Sequence, residues 1–198
     1  MPIDFPTTVK PRSSKFALQS NTRVYASPMS QSTQRLEMPG ARWKATYEFP
    51  PMTRAECAPL ISFLTKLRGA ASTFYGFDPA ARELLGTGAG TPLVNGAGQT
   101  GRILISDGWI ANQTVLKTGD YFQIGTELKV VTDDVTSDSS GNATISFEPA
   151  LRSSPANNAL ITVTNPTCIM RLIDDEQTSW DVDESMFYRI QFSAIEAF

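Results

Sequence analysis

The sequence predicts a mainly β protein with one short helix, and three observations carry that expectation. Apolar and polar residues alternate with period two in short runs, separated by Gly, Asp, Asn and Ser, which is how half-buried antiparallel strands read. Only one stretch, near residues 53–68, has the spacing of an amphipathic helix. The patterned segments on either side of residues 86–164 are each incomplete alone, whereas that middle holds its own series of short strands and turns. The expected architecture is discontinuous. Residues 1–85 together with 165–198 form an outer β domain carrying the helix, and residues 86–164 form an inserted small antiparallel barrel.

Residues 1–15, with three prolines and three basic residues, read as an extended arm. FALQS and TRVYAS read as short strands. STQRLEM and ARWKATYEF flank Pro39-Gly40 and predict a hairpin across that turn. In the second of these, Ala41, Trp43, Ala45, Tyr47 and Phe49 share one face, and Arg42, Lys44, Thr46 and Glu48 the other. The helix opens with a T-x-x-E capping box, Thr53 and Glu56, with Met52 and Cys57 at staple positions. Ala55, Leu60, Ile61, Phe63, Leu64 and Leu67 form its apolar stripe. Lys66 and Arg68 suit the negative end of the dipole, and Gly69 suits the position after the cap. Pro59 conflicts with this helix, because it removes a backbone donor inside it; a kink or a separate first turn is expected there.

Residues 86–101, GTGAGTPLVNGAGQTG, read as a linker or wide loop. RILISDGWI, QTVLKTGDYFQIG, ELKVVTDD, ATISFEP and ALITVTN then supply the barrel strands. TCIMRLI and MFYRIQFSAIEAF flank an acidic turn, and Met186, Tyr188, Ile190, Phe192 and Ala194 alternate with polar neighbours in the final strand.

Composition narrows the function classes. The chain has 198 residues, 41% of them hydrophobic, with no apolar run long enough to cross a membrane as a helix. The N-terminus lacks the apolar core of an export signal, which predicts synthesis and initial retention in a cytoplasm. There is no histidine, so neither a Ser-His-Asp nor a Cys-His pair can form and no imidazole is available to a metal. Cys57 and Cys168 are expected to be buried thiols. Net charge is −3, yet residues 1–85 carry 11 Lys/Arg against 6 Asp/Glu and residues 86–198 carry 6 against 14. That split suits head-to-tail contact between copies. The basic residues are too scattered to predict nucleic-acid binding.

The motif matches are weak against their ordinary explanations. Gly96-Ala97-Gly98-Gln99-Thr100-Gly101 fits G-x-G-x-x-G, but β-prone RILIS follows where a dinucleotide site needs a helix. DDEQTSWDVDE, residues 174–184, holds six carboxylates without a base, as a hydrated turn or an interface would; its spacing fits no calcium loop. Asp133, Asp134 and Asp138 read as turn residues. This reading assigns no catalytic residue, no cofactor and no metal ligand, and the chain is not expected to be an enzyme.

Three pieces of the chain carry a family resemblance. The order of an alternating strand, PPMTRAECAPLISFLTKLRG and STFYGFDP is similar to the N-terminal region of tailed-bacteriophage tail-tip proteins. GWIANQTVLKTGDYFQIGTELKVVTDDVTSDSSGNATISFEPALR, with its Pro149-Ala150-Leu151-Arg152 exit, resembles a β-barrel module that recurs in them. MRLIDDEQTSWDVDESMFYRIQFSAIEAF resembles the last strands of phage distal tail proteins. Together these span residues 16–198. The resemblance implies a tube-like β-sandwich with one helix and an inserted barrel of oligonucleotide/oligosaccharide-binding or SH3-like type. It implies a structural virion protein at the tail tip, forming a homo-oligomeric ring, commonly hexameric, between the tail tube protein and the tip or baseplate hub. The family has no catalytic residues to transfer. The large galectin-like sandwich of longer members has no counterpart here, which argues against direct host-sugar binding.

On this reading Arg35, Arg42 and Lys44 of one copy would face acidic residues of the next, including Asp174, Asp175 and Glu176. Three alternatives stand beside it. One is a carbohydrate-binding module using Trp109, Tyr121 and Trp180. Another is a hydrolase built on paired carboxylates, and the third is a neighbouring tail component such as a tube, terminator or hub protein.

Overall fold

In chain order, the computed structural model, which describes residues 1–198, contains β1 (Ser13–Gln19), β2 (Thr22–Ala26), β3 (Thr33–Glu37), β4 (Arg42–Glu48), α1 (Arg54–Leu67) and β5 (Phe74–Gly76). The middle supplies β6 (Gly90–Val94), β7 (Ile103–Trp109), β8 (Thr114–Leu116), β9 (Tyr121–Ile124), β10 (Glu127–Val131), β11 (Val135–Thr136), β12 (Ala143–Glu148) and β13 (Ile161–Thr162). The chain ends through β14 (Cys168–Leu172), β15 (Asp181–Val182), β16 (Tyr188–Arg189) and β17 (Gln191–Glu196). It is mainly β, with α1 its single α-helix.

The outer sheet is antiparallel in the order β1-β4-β17-β14-β5. The alternation in β4 places Trp43, Ala45 and Tyr47 on the inner face, where Phe74, Met170, Leu172, Phe192 and Ala194 join them. The helix lays Cys57, Leu60, Phe63, Leu64 and Leu67 on this face. Each fully buried Leu or Phe contributes roughly 1.5–3 kcal/mol, enough to hold a helix that is too short to stand alone. The opposite face is exposed along β1 and half-buried at Thr46, Tyr75, Ile169, Ser193 and Ile195.

The middle residues form a six-stranded antiparallel sheet, β13-β9-β10-β12-β7-β6. A bridge between Leu93 and Leu160 brings its two edges together and nearly closes it as a barrel. Val94, Leu104, Val115, Phe122, Ile145 and Phe147 fill the interior. The barrel meets the outer sheet over β9 and β10. There Trp43 Nε1 donates to Leu128 O at 2.8 Å, and the Trp43 ring packs against Phe16 at 5.1 Å and Tyr121 at 5.5 Å.

The start of the helix matches its sequence signature. The Glu56 carboxylate accepts from both the Thr53 amide, at 2.9 Å, and the Thr53 hydroxyl, at 2.8 Å. Pro59 lies inside the helix and does not split it; α1 runs without a break from Arg54 to Leu67. Pro59 is exposed, so the carbonyl it leaves without a donor has access to water. Ala55, placed in the buried stripe above, is exposed. The cap residue is Arg68, itself left-handed at φ 52°, and Gly69 follows it at φ +66°, in the position after the cap that the sequence indicates.

Three expectations about chain path are corrected. The arm folds back on its own chain: Ile3 bridges Phe74, and Phe5 is buried among Tyr47, Phe49, Phe63, Phe74, Phe77 and Phe192. A single aromatic in a proline-rich segment has more to gain from that pocket than from water. No hairpin forms across Pro39-Gly40. Instead β3 pairs with β2, while β4 passes between β1 and β17, because its alternating inner face belongs in the core. Residues 86–101 are not a linker. They contain β6 and a loop stapled by Gln99, whose amide donates to Asn95 O, Gly96 O and Ile105 O and accepts from Ile105 N.

Candidate functional site

Strand register defines two ends of the outer sheet. At one end Gln19 faces Arg42; at the other Ser13 and Gln191 face Glu48. Each end carries a small hairpin that belongs to no larger sheet.

From the Gln19–Arg42 end projects the β2–β3 hairpin, with register Thr22↔Glu37 to Ala26↔Thr33 and every strand residue exposed. Each of its faces mixes apolar and basic side chains. Val24 lies opposite Arg35, and Tyr25 and Leu36 share the other face with Arg23. Met29, at the tip, is 97% exposed. Glu37, at the base, pairs with Arg102 of the barrel, which also pairs with Glu148 at 2.6 Å. A solvated two-stranded ribbon is marginal by itself in water, and both of its edges offer unpaired backbone groups.

At the Glu48 end the acidic segment folds tightly. Asp174 accepts from Glu176 N, and the Asp175 carboxylate accepts from Ala70 N at 2.9 Å. Asp175 also explains Gly69: a Cβ there would lie 2.2 Å from Asp175 Oδ1, and the positive φ independently disfavours a side chain. Gln177 Oε1 accepts from Ser193 N, fixing the segment to β17. Beyond it, β15 and β16 form a ledge on which Trp180, Val182, Met186 and Phe187 are all exposed. Met186, expected on the buried face of the last strand, instead sits in the turn with φ +62°.

The six residues predicted for an interface therefore divide between the ends. Arg35 lies on the exposed hairpin, and Arg42 lies at that same end with its guanidinium 4.5 Å from the Phe198 ring centroid. Lys44 is exposed on the outer face of β4. Asp174 and Asp175 serve local turns, and Glu176 is exposed with no side-chain partner. The structure does not bring the basic and acidic sets together within one chain.

Periodicity missed a charged network at the joint of barrel and sheet. Glu196, 1% exposed, continues the inward parity of Phe192 and Ala194 and receives both terminal nitrogens of Arg152. It also accepts from Trp43 N at 3.0 Å. Arg152 reaches Ala41 O and stacks its guanidinium 4.1 Å from the Phe198 centroid. Beside it, Lys129 Nζ lies 2.7 Å from Glu127 and donates to Ala150 O. Burial pushes Lys129 below the usual lysine range, only partly opposed by Glu127. Burial alone would raise the Glu127 carboxyl; the bonds from Lys129 and Arg152 N together outweigh it and hold it below the usual range. The legible signal was charge on an apolar parity, in QFSAIE and ELKVV. The network is a fastening between the two units, and most of its donors and acceptors are mutually satisfied.

The aromatic residues considered for sugar recognition do not converge. Trp109 is buried, with Nε1 donating to Ser106 Oγ. Tyr121 packs between the sheet and the barrel, where burial and then Asp78 push its hydroxyl up to about 12. Only Trp180 is exposed. Asp134 and Asp138 cap the Thr118 and Ser140–Asn142 turns. No helix is long and apolar enough to cross a membrane. No protein-family model matches the chain, and no curated protein matches it in sequence.

Proposed function

We propose that this chain is a structural subunit of a phage tail tip, assembling with copies of itself into a ring, six-membered by family resemblance, that joins the tail tube to the tip or baseplate hub. The observation that carries the reading is the β2–β3 hairpin. Every strand residue in it is exposed, and it has no layer of its own chain behind it. Such a ribbon gains most from a neighbour that covers or pairs with it. The basic Gln19–Arg42 end and the acid-rich Glu48 end are chemically complementary, so identical copies can meet end to end. The resemblance of the three segments quoted above supplies the tail-tip setting.

Sedimentation velocity of the purified chain at low and high salt, alone and with its tail tube protein, tests the proposal. The expected result is a discrete multimer whose population falls with salt. A chain that stays monomeric under all four conditions overturns it.

A further inference from the structure

Once the core is accounted for, two surfaces combine exposed apolar side chains with charges that have no partner. On the β2–β3 hairpin these are Val24, Tyr25, Met29 and Leu36 with Arg23 and Arg35. On the ledge they are Trp180, Val182, Met186 and Phe187 with Asp181 and Glu184. None of these four charged residues takes part in an ion pair, whereas Arg102, Arg152 and Arg189 all do. Within the ledge, Asp183 is already committed to Arg189 and to the Phe187 amide, so Asp181 and Glu184 are the carboxylates left free.

The register separates the two surfaces. The hairpin leaves the sheet beside Arg42, and the ledge rejoins it beside Glu48, at the two ends of β4. Seven residues of strand span roughly 20 Å, so neither surface can cover the other within one chain. We infer that the β2–β3 hairpin of one copy docks on the Trp180–Phe187 ledge of the next, with Arg23 and Arg35 set against Asp181 and Glu184. This rests on the self-assembly reading above and names its contact. A second copy is the occupant because the complementary apolar area and the opposite charge are carried by the same chain, at opposite ends. Such a contact is heterologous: it leaves a free hairpin and a free ledge after every addition, and it closes only as a ring. The mixed character of both surfaces suits it, since apolar contact supplies area and the charges set orientation and exclude the reversed docking.

Two charge-reversed variants test the contact: Arg23→Glu with Arg35→Glu, and Asp181→Arg with Glu184→Arg. All four positions are exposed, so unchanged circular dichroism and Tm are expected for both. Each variant alone brings like charges together and is expected to weaken assembly at least about tenfold. Mixed in equal amounts, the two restore opposite charges at every junction and assembly is expected to return. If the native chain assembles and either variant alone assembles equally well, or the mixture fails to recover, this contact is overturned and the self-assembly reading stands. If the native chain never assembles, both fall. Leu36→Cys with Phe187→Cys gives a readout independent of charge, because the native thiols are buried: intermolecular disulfide ladders are expected under oxidation, and their absence from assembled protein rejects the docking.

Discussion

Arg152 binds Glu196 through two nitrogens and reaches Ala41 O, 111 residues away in the chain, so one guanidinium fastens the barrel to β17 and to the residue that leads into β4. Removing its partner would leave a partly buried cation and an unpaired Trp43 amide. Glu196→Ala is therefore expected to lower unfolding free energy by about 3–5 kcal/mol in urea titrations. The double variant Arg152→Met with Glu196→Leu is expected to lose less than Glu196→Ala alone, because no charge is stranded. The two thiols give a second test at this scale. Burial raises both Cys57 and Cys168, so neither supplies a ready thiolate. Native protein is expected to react with a disulfide reagent only as fast as it opens, and denatured protein to titrate two thiols at once.

At the scale of elements, the hairpin and the helix behave oppositely. Replacing residues 22–37 by a short turn removes little buried area and one exposed ion pair, Glu37–Arg102. The shortened chain is expected to keep its Tm within about 5 °C, read by calorimetry, and, on the self-assembly proposed above, to sediment as a monomer. The same contrast governs what could be read from the sequence. The helix was legible because its signals are local: Thr53 and Glu56 at the start, and apolar spacing from Leu60 to Leu67. The strands were legible for the same reason, since alternation in RWKATYE needs no knowledge of partners. Pairing was not legible. Pro39-Gly40 is a good turn, but β4 finds its neighbours in residues 13–19 and 191–196, and no local rule reports that. Glycine density made 86–101 read as a linker or wide loop, while β6 runs through it and one side chain, Gln99, organises the loop that follows. The acidic segment was recognised as charge, but Asp175 as the reason for Gly69 required the fold.

For the whole molecule, acid is the condition to watch. Backbone and side-chain bonds hold Glu56, Asp134 and Asp138 below the usual carboxylate range, and Glu127 is also lowered. Their folded values lie below the unfolded ones, so the stability they contribute is complete above about pH 5 and is lost as pH falls through the depressed values. Thermal melts are expected to be flat from pH 7 to about pH 5 and to drop steadily toward pH 3; a profile that rises on acidification would contradict this assignment. The position of β17 has a consequence for manufacture. This strand lies between β4 and β14, yet every other strand precedes it in the chain. While the polypeptide emerges from a ribosome, the barrel residues are complete well before the outer sheet has its middle strand. The hairpin and ledge then hang from a sheet with a gap, and Phe5 waits for Phe192. A chain stopped before Gln191 is expected to show a protease-resistant barrel and a digestible outer half. Interrupted synthesis would thus yield fragments in which neither the β2–β3 hairpin nor the Trp180–Phe187 ledge has a finished sheet to stand on, so the order in which the strands are made decides that both surfaces are presented only by full-length chains.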